Sequence, residues 1–188
     1  MSAEPELNPN SWSPDGKALV FDRYNEKDHR DLWVLPLGSP QSAKPLVEGA
    51  AETWNGAVSP NGRWLAYQPD ESGRYEVYVR DFPGPGSKRQ VSRDGGTEPR
   101  WSADGKELFY PSINGERLMV AAVETDSGFK AGMPGVLFEG FLRSATSDRC
   151  SYAVSPDGQR FYMIKPSAKQ ARPTQINVVV NWARELRK

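Results

Sequence analysis

The sequence predicts an all-β protein, a β-propeller of four-stranded antiparallel blades, with four blades in this chain and the last one incomplete. Three observations carry that expectation. One short cassette occurs four times, as Trp12-Ser13-Pro14-Asp15-Gly16-Lys17, Val58-Ser59-Pro60-Asn61-Gly62-Arg63, Trp101-Ser102-Ala103-Asp104-Gly105-Lys106 and Val154-Ser155-Pro156-Asp157-Gly158-Gln159. The serines are 46, 43 and 53 positions apart, a period typical of propeller blades. Each cassette is followed by a short aromatic-aliphatic run, and the 17 Gly and 16 Pro are spread through the turns rather than gathered into a linker. One domain over residues 1–182 follows, with blades at about 6–49, 50–93, 94–140 and 148–182 and a short basic tail at 183–188.

The cassette predicts a tight turn. Pro presets φ near the first corner, Asp or Asn bonds its own backbone, and Gly accepts φ > 0. After each turn comes a second strand: Ala18-Leu19-Val20-Phe21, Trp64-Leu65-Ala66-Tyr67, Glu107-Leu108-Phe109-Tyr110 and Arg160-Phe161-Tyr162-Met163-Ile164. These runs suit a pleated, buried surface. Third strands are expected at Asp31–Leu35, Glu76–Arg80, Arg117–Ala121 and Gln175–Val180, and outer fourth strands at Pro45–Glu48, Arg89–Ser92 and Gly135–Glu139. Aromatics repeated at matching positions, such as Trp12 with Trp101 and Trp33 with Tyr78, are expected to pack between blades.

The Ser-Pro-Asp-Gly-Lys cassette followed by an apolar strand resembles the WD-like repeat of TolB-like β-propellers, over roughly residues 10–182. More narrowly, Asp31-Leu32-Trp33-Val34-Leu35-Pro36-Leu37, the run from Tyr75 to Gly86 and Asn177-Val178-Val179-Val180-Asn181-Trp182 resemble the C-terminal propeller part of bacterial serine/threonine protein kinases with a TolB-like sensor region. Asn61 and Ala103 depart from the pattern, and both suit a turn. TolB-like propellers usually have six blades or more. If the chain is part of a membrane-anchored kinase, the resemblance implies a periplasmic or extracytoplasmic location.

Twenty-four acidic and twenty-four basic side chains cancel, so no net field favours nucleic acid or an anionic membrane surface. No apolar run is long enough to span a bilayer. The acidic, Pro-bearing start Met1-Ser2-Ala3-Glu4-Pro5-Glu6 is unlike a secretory signal, so the chain reads as soluble. A lone Cys150 excludes an intramolecular disulfide and leaves the redox compartment open.

His29-Arg30-Asp31-Leu32 has the form of a kinase catalytic loop, yet Pro36 stands where the metal-holding Asn would be, and no Asp-Phe-Gly or Gly-rich phosphate loop occurs. The expectation is that Asp31 opens a third strand while His29 and Arg30 lie on a solvated loop. A single His and no Gly-x-Ser-x-Gly elbow give no serine hydrolase site. One His and one Cys give no metal site of that kind, and the turn acids lack a calcium-loop pattern. Gly84-Pro85-Gly86-Ser87-Lys88 reads as the turn between third and fourth strands of blade two. Cys150 reads as a small packed residue at the start of an innermost strand. No catalytic residue, cofactor or metal is expected.

Loops joining second to third strands, and junctions between blades, share one face and vary in length and composition. The opposite face carries the near-identical cassette turns. Recognition favours variable loops on a rigid scaffold, so the expected binding residues lie on the variable face and channel rim: Trp54, Glu52, Glu98, Arg100, Asp148 and Arg149. The expected function is a non-catalytic interaction or sensing module for a peptide, a protein partner or a cell-wall fragment. From another class, Glu52, Glu98 and Asp148 keep open a propeller lyase or glycan hydrolase, although the same acids fit rim salt bridges with Arg100 and Arg149. A third reading is a fragment of a larger kinase- or peptidase-linked propeller with no autonomous role. Blade four lacks a readable closing strand, so residues 176–180 form an open hydrophobic edge; a homodimer through that edge is expected.

Overall fold

The computed structural model describes residues 6–27, 29–140, 150–164 and 176–180. These form antiparallel sheets, each made of consecutive strands, as a propeller requires. Blade one is β1 (Leu7–Trp12), β2 (Ala18–Tyr24), β3 (Arg30–Pro36) and β4 (Lys44–Val47). Blade two is β5 (Thr53–Val58), β6 (Trp64–Pro69), β7 (Tyr78–Asp81) and β8 (Arg89–Gln90). Blade three is β9 (Arg100–Trp101), β10 (Glu107–Pro111), β11 (Arg117–Glu124), β12 (Lys130–Ala131) and β13 (Gly135–Glu139). Blade four is β14 (Tyr152–Val154), β15 (Arg160–Ile164) and β16 (Ile176–Val180). The segments 141–149 and 181–188, which include Asp148, Arg149, Trp182 and the basic tail, lie outside the described residues.

Each cassette makes the same turn by the same bonds. In blade three, Ser102 N–H reaches Glu107 O at 2.9 Å and Gly105 N–H reaches Ser102 O at 3.0 Å. Ser102 Oγ donates to Asp104 Oδ1 at 2.7 Å and accepts from Glu107 N–H at 2.9 Å. Asp104 Oδ1 also accepts from Lys106 N–H at 3.1 Å. The four cassette glycines have φ of 69°, 70°, 70° and 68°, the left-handed region in which a Cβ is penalised. Ser112-Ile113-Asn114-Gly115, between β10 and β11, builds the same turn on the opposite face, with Ser112 Oγ on Asn114 Oδ1 at 2.7 Å and Gly115 at φ 70°.

Three apolar clusters fill the spaces between blades. Val20, Leu32, Leu65 and Tyr67 join blades one and two. Trp64, Trp101, Leu108, Tyr110 and Phe129 anchor the blade two to three space. Phe109, Leu118, Tyr152 and Phe161 join blades three and four. Burial of one such side chain contributes roughly 1.5–3 kcal/mol, so these spaces hold the arc together.

Four details differ from the sequence expectation. Arg30 is not on a solvated loop: it opens β3 and is buried, as is Asp31. Trp12 does not pack between blades as Trp101 does; it is 58% exposed against 9%. In blade two the third strand begins at Tyr78 rather than Glu76, because Val77 N–H is taken by Ser92 Oγ at 2.7 Å and Glu76 turns its carboxylate inward. Blade three carries the extra strand β12, paired to the far end of the long β11 through Val123 and Ala131.

Candidate functional site: the variable face and the axial mouth

Leu7 pairs with Arg23 and Thr53 with Pro69, so the starts of the inner strands share an end with the loops after β2 and β6. The cassette turns occupy the other end. At the variable end, two side-chain clusters and an axial cavity stand out.

The first cluster joins blades one and two. The Arg30 guanidinium lies 4.5 Å from the Trp54 ring centroid and 5.0 Å from that of Tyr24, and donates to Tyr24 Oη at 2.6 Å. Such cation–π contacts strengthen when desolvated. Glu52 stands 3.7 Å from Arg30 Nε and accepts the Tyr75 hydroxyl at 2.8 Å. Burial, reinforced by that bond to Glu52, pushes the Tyr75 phenol well above its usual range. Tyr75 in turn meets the Trp54 edge at 6.0 Å. Trp54 is therefore a buried floor, 5% exposed, beneath Arg30 and Tyr75, and Tyr24, Glu52 and Tyr75 are half-buried.

The second cluster joins blades two, three and four. Asn55 and Glu98 stand four residues before their cassette serines, and both are buried with positive φ, 55° and 50°. This left-handed turn re-aims each side chain, as a bulge does. Asn55 Nδ2 donates to Gln68 Oε1 at 3.0 Å, and Glu98 N–H donates to the same oxygen. Glu98 Oε2 accepts from both Ser151 N–H and Ser151 Oγ at 2.7 Å, and Tyr152 Oη donates to Glu98 O at 3.1 Å. Glu98 is thus a latch between blades, closed off from solvent. Arg100 donates to Pro99 O at 2.9 Å and to Cys150 Sγ at 2.6 Å. Burial raises the Cys150 thiol above its ordinary value, partly offset by Arg100.

Beside the second cluster a cavity of about 310 Å³ opens along the inner strands, lined by Asn8, Asn10, Asp22, Asn55, Arg100 and Cys150 among others. Asp22 accepts from Asn10 Nδ2 at 2.7 Å and Asn8 Nδ2 at 3.1 Å, while burial raises its carboxyl above the usual range. Among the described residues no group of three or more His, Cys, Asp or Glu is placed to hold a metal ion. No described helix is long and apolar enough to cross a membrane.

Of the residues singled out in the sequence, Glu52 and Trp54 come together in the first cluster, Glu98 and Arg100 flank the second, and Asp148 and Arg149 lie outside the described residues. Sequence reasoning missed Arg30, Tyr75, Asn55 and Asp22. The signal for Asn55 was present, since Asn55 and Glu98 occupy the same place relative to Ser59 and Ser102.

No family profile matches the chain. It is 28% identical over 180 residues to an uncharacterized protein of Agrobacterium fabrum, covering 93% of this chain and 56% of that protein. TolB from Acinetobacter baumannii superposes with a TM-score of 0.69 at 21% identity, over 96% of this chain and 42% of that one. A TolB-type protein from Agrobacterium tumefaciens gives a TM-score of 0.65 at 25% identity, over 94% and 58%. A puromycin-hydrolyzing peptidase from Mycobacterium tuberculosis gives 0.60 at 20% identity, over 87% of this chain and 28% of that one. With the repeated blades, these likenesses define the fold as a TolB-like β-propeller. The chain spans about half the length of the first three of these relatives, at 56%, 42% and 58%. The narrower resemblance to kinase-linked propellers gains no support from these relatives.

Proposed function

We propose that the chain is a non-catalytic propeller module that binds a protein or peptide partner on its variable face, at the axial mouth. One observation carries this reading: Asn55, Arg100 and Cys150 line a polar cavity with Asn8, Asn10 and Asp22 of blade one, and the residue next to Asn55, Trp54, belongs to the Arg30–Glu52–Trp54–Tyr75 cluster on the same end of the propeller. A concave site with a few convergent polar groups and aromatics beside it is what peptide recognition uses. In this reading Glu52 and Arg100 contact the partner, Trp54 and Glu98 hold the mouth in shape, and Asp148 and Arg149, outside the described residues, are further candidates for contact.

The acids are engaged in ways that suit scaffolding. Glu52 is committed to Arg30 and Tyr75, and Glu98 to Ser151. Paired-carboxylate catalysis of a lyase or glycan hydrolase needs one acid free to exchange a proton with substrate. Asp22, raised by burial in the cavity, is the group on which such an alternative would rest.

Panning a random peptide display library against the purified chain, followed by calorimetric titration of the selected peptides, tests the proposal. Glu52→Lys and Arg100→Glu are each expected to weaken binding tenfold or more, about 1.4 kcal/mol, while Lys130→Glu on the outer rim leaves it unchanged. Selected peptides indifferent to both rim variants would place recognition elsewhere and sink the reading.

A further inference from the structure

At the cassette end the junction of blades one and two matches that of blades two and three position by position. Counted from the cassette serines, Lys17 and Ala18 of blade one stand where Arg63 and Trp64 stand in blade two. In both blades the serine hydroxyl accepts the backbone N–H of the second of these, at 2.9 Å for Ala18 and 3.0 Å for Trp64. The outer strands match as well. Lys44 pairs with Val34, which lies opposite Val20, just as Arg89 pairs with Val79 opposite Ala66. Each blade therefore sets one cation before the second strand and another on its outer strand, around a single position.

In blade two that position holds Trp64. Its ring centroid lies 6.0 Å from the Arg63 guanidinium and 5.6 Å from that of Arg89, within cation–π reach. Blade three completes the packing from the other side. Its β11–β12 hairpin brings Phe129 to 5.5 Å from Trp64, and Trp64 Nε1 and Arg63 Nη1 donate to the carbonyls of Thr125 and Asp126 at 3.2 Å and 2.7 Å. Both rings are buried.

In blade one the same position holds Ala18, and blade two extends no hairpin over it. Phe82 of blade two matches Val123 of blade three, because each donates its N–H to the carbonyl of the last cassette residue, Arg63 O at 2.9 Å and Lys106 O at 2.7 Å. Past Val123 the chain runs on into the hairpin, whereas past Phe82 it enters Pro83-Gly84-Pro85-Gly86. An open groove of about 400 Å³ remains, between Ala18, Val34 and Pro36 of blade one and Pro60, Phe82 and Pro83 of blade two. Lys17 and Lys44 line it and are exposed, and neither ammonium is in an ion pair among the described residues. Asp15, the acid in the lining, already accepts from Ser13 Oγ and Lys17 N–H. The groove lies wholly between two consecutive blades.

We propose that this groove is a docking site for a protein partner that inserts an aromatic side chain, flanked by Asp or Glu, onto Ala18 between Lys17 and Lys44. The partner's ring takes the place that Trp64 fills one blade further on. Its carbonyls and acids meet the lysine ammoniums as the Asp126 carbonyl meets Arg63. An aromatic anchor seated in an apolar pocket beneath a charged rim is a common centre of protein recognition, and here the molecule supplies its own template for the fit. The site is separate from the axial mouth and does not depend on it.

Selection from a random peptide display library on the purified chain, after depletion on Ala18→Trp, tests the proposal. That variant fills the groove with blade two's own residue and is expected to fold, which circular dichroism verifies. The recovered peptides are expected to carry an aromatic residue beside Asp or Glu. In calorimetric titration Ala18→Trp should weaken their binding about tenfold or more, and Lys17→Glu and Lys44→Glu each about threefold or more. Glu52→Lys, on the variable face, should leave it unchanged. If Ala18→Trp misfolds, the double variant Lys17→Glu, Lys44→Glu, which alters exposed side chains alone, serves for depletion. A library that yields no peptide separating the chain from the depleting variant overturns the proposal, as do peptides without an aromatic residue or indifferent to both lysine changes. Recovery only of peptides that Glu52→Lys weakens would assign binding to the axial mouth and equally overturn it.

Discussion

The cassette end and the variable end of this propeller are built by opposite means. At the cassette end four turns repeat one set of hydrogen bonds among residues no more than five apart in sequence, and their glycines share φ of 68–70°. At the variable end each junction has its own chemistry, reaching across the chain. Arg30 meets Glu52 and Trp54 between blades one and two. Glu76 takes Arg74, Ser92 and Gly95 between two and three. Glu98 takes Ser151 between three and four. Local chemistry thus supplies a uniform scaffold, and long-range pairs supply the differences on which recognition depends.

That contrast predicts where a single substitution costs most. Glu98→Ala removes the acceptor for two buried donors of Ser151, and a lost charge-assisted bond with an orphaned donor is expensive. The expected loss is about 3 kcal/mol, with Glu98→Gln retaining part of it, read from urea unfolding. A loss under about 1 kcal/mol would mean that apolar packing alone holds blade four.

The turns should respond less, and equally at both ends. Gly105 in a cassette and Gly115 in the loop after β10 both sit at φ 70°. A β-branched side chain there is strained, so Gly105→Val and Gly115→Val should each lose about 1–2 kcal/mol. Thermal unfolding of the pair checks this. A near-zero effect at Gly115 would show that the Ser112 turn matches the cassette in shape without carrying its load.

The same contrast explains what could be read in the sequence. The four cassettes, their second strands and the outer strands at Arg89 and Gly135 were legible because periodicity and turn chemistry are local signals. The positive φ of the cassette glycines followed directly. Arg30 was misplaced because its burial depends on Tyr24, Glu52 and Trp54, none of which a local pattern joins to it. Trp12 was misassigned for a related reason: repetition reports the blade position, whereas burial reports whether a neighbour covers it. In the site, Glu52 and Trp54 were visible as departures from the repeat, while Tyr75 and Asp22 fit ordinary strand and loop patterns and gave no signal.

The smallest predicted effect separates the cassettes from one another. In blades one, three and four the turn acid accepts from the serine hydroxyl first and the backbone N–H two residues on second, and these bonds hold Asp15, Asp104 and Asp157 below the usual carboxylate range. Blade two makes the same contacts through Asn61, at 2.7 Å and 3.1 Å, and an amide does not titrate. A group whose folded pKa lies below its unfolded value stabilises the fold above that unfolded value, 3.8 for Asp. The contribution disappears as pH falls through the folded pKa. Acidification from about pH 5 to about pH 2 should therefore weaken three turns and spare the second. Asp104→Asn is expected to lower the pH dependence of the thermal midpoint over that window, and Asn61→Asp to raise it. Because these side chains are exposed, both changes are small and best read as the difference between the two variants across pH. A difference that stays flat from acid to neutral would show that the serine bond holds the turn whether or not its acceptor carries charge.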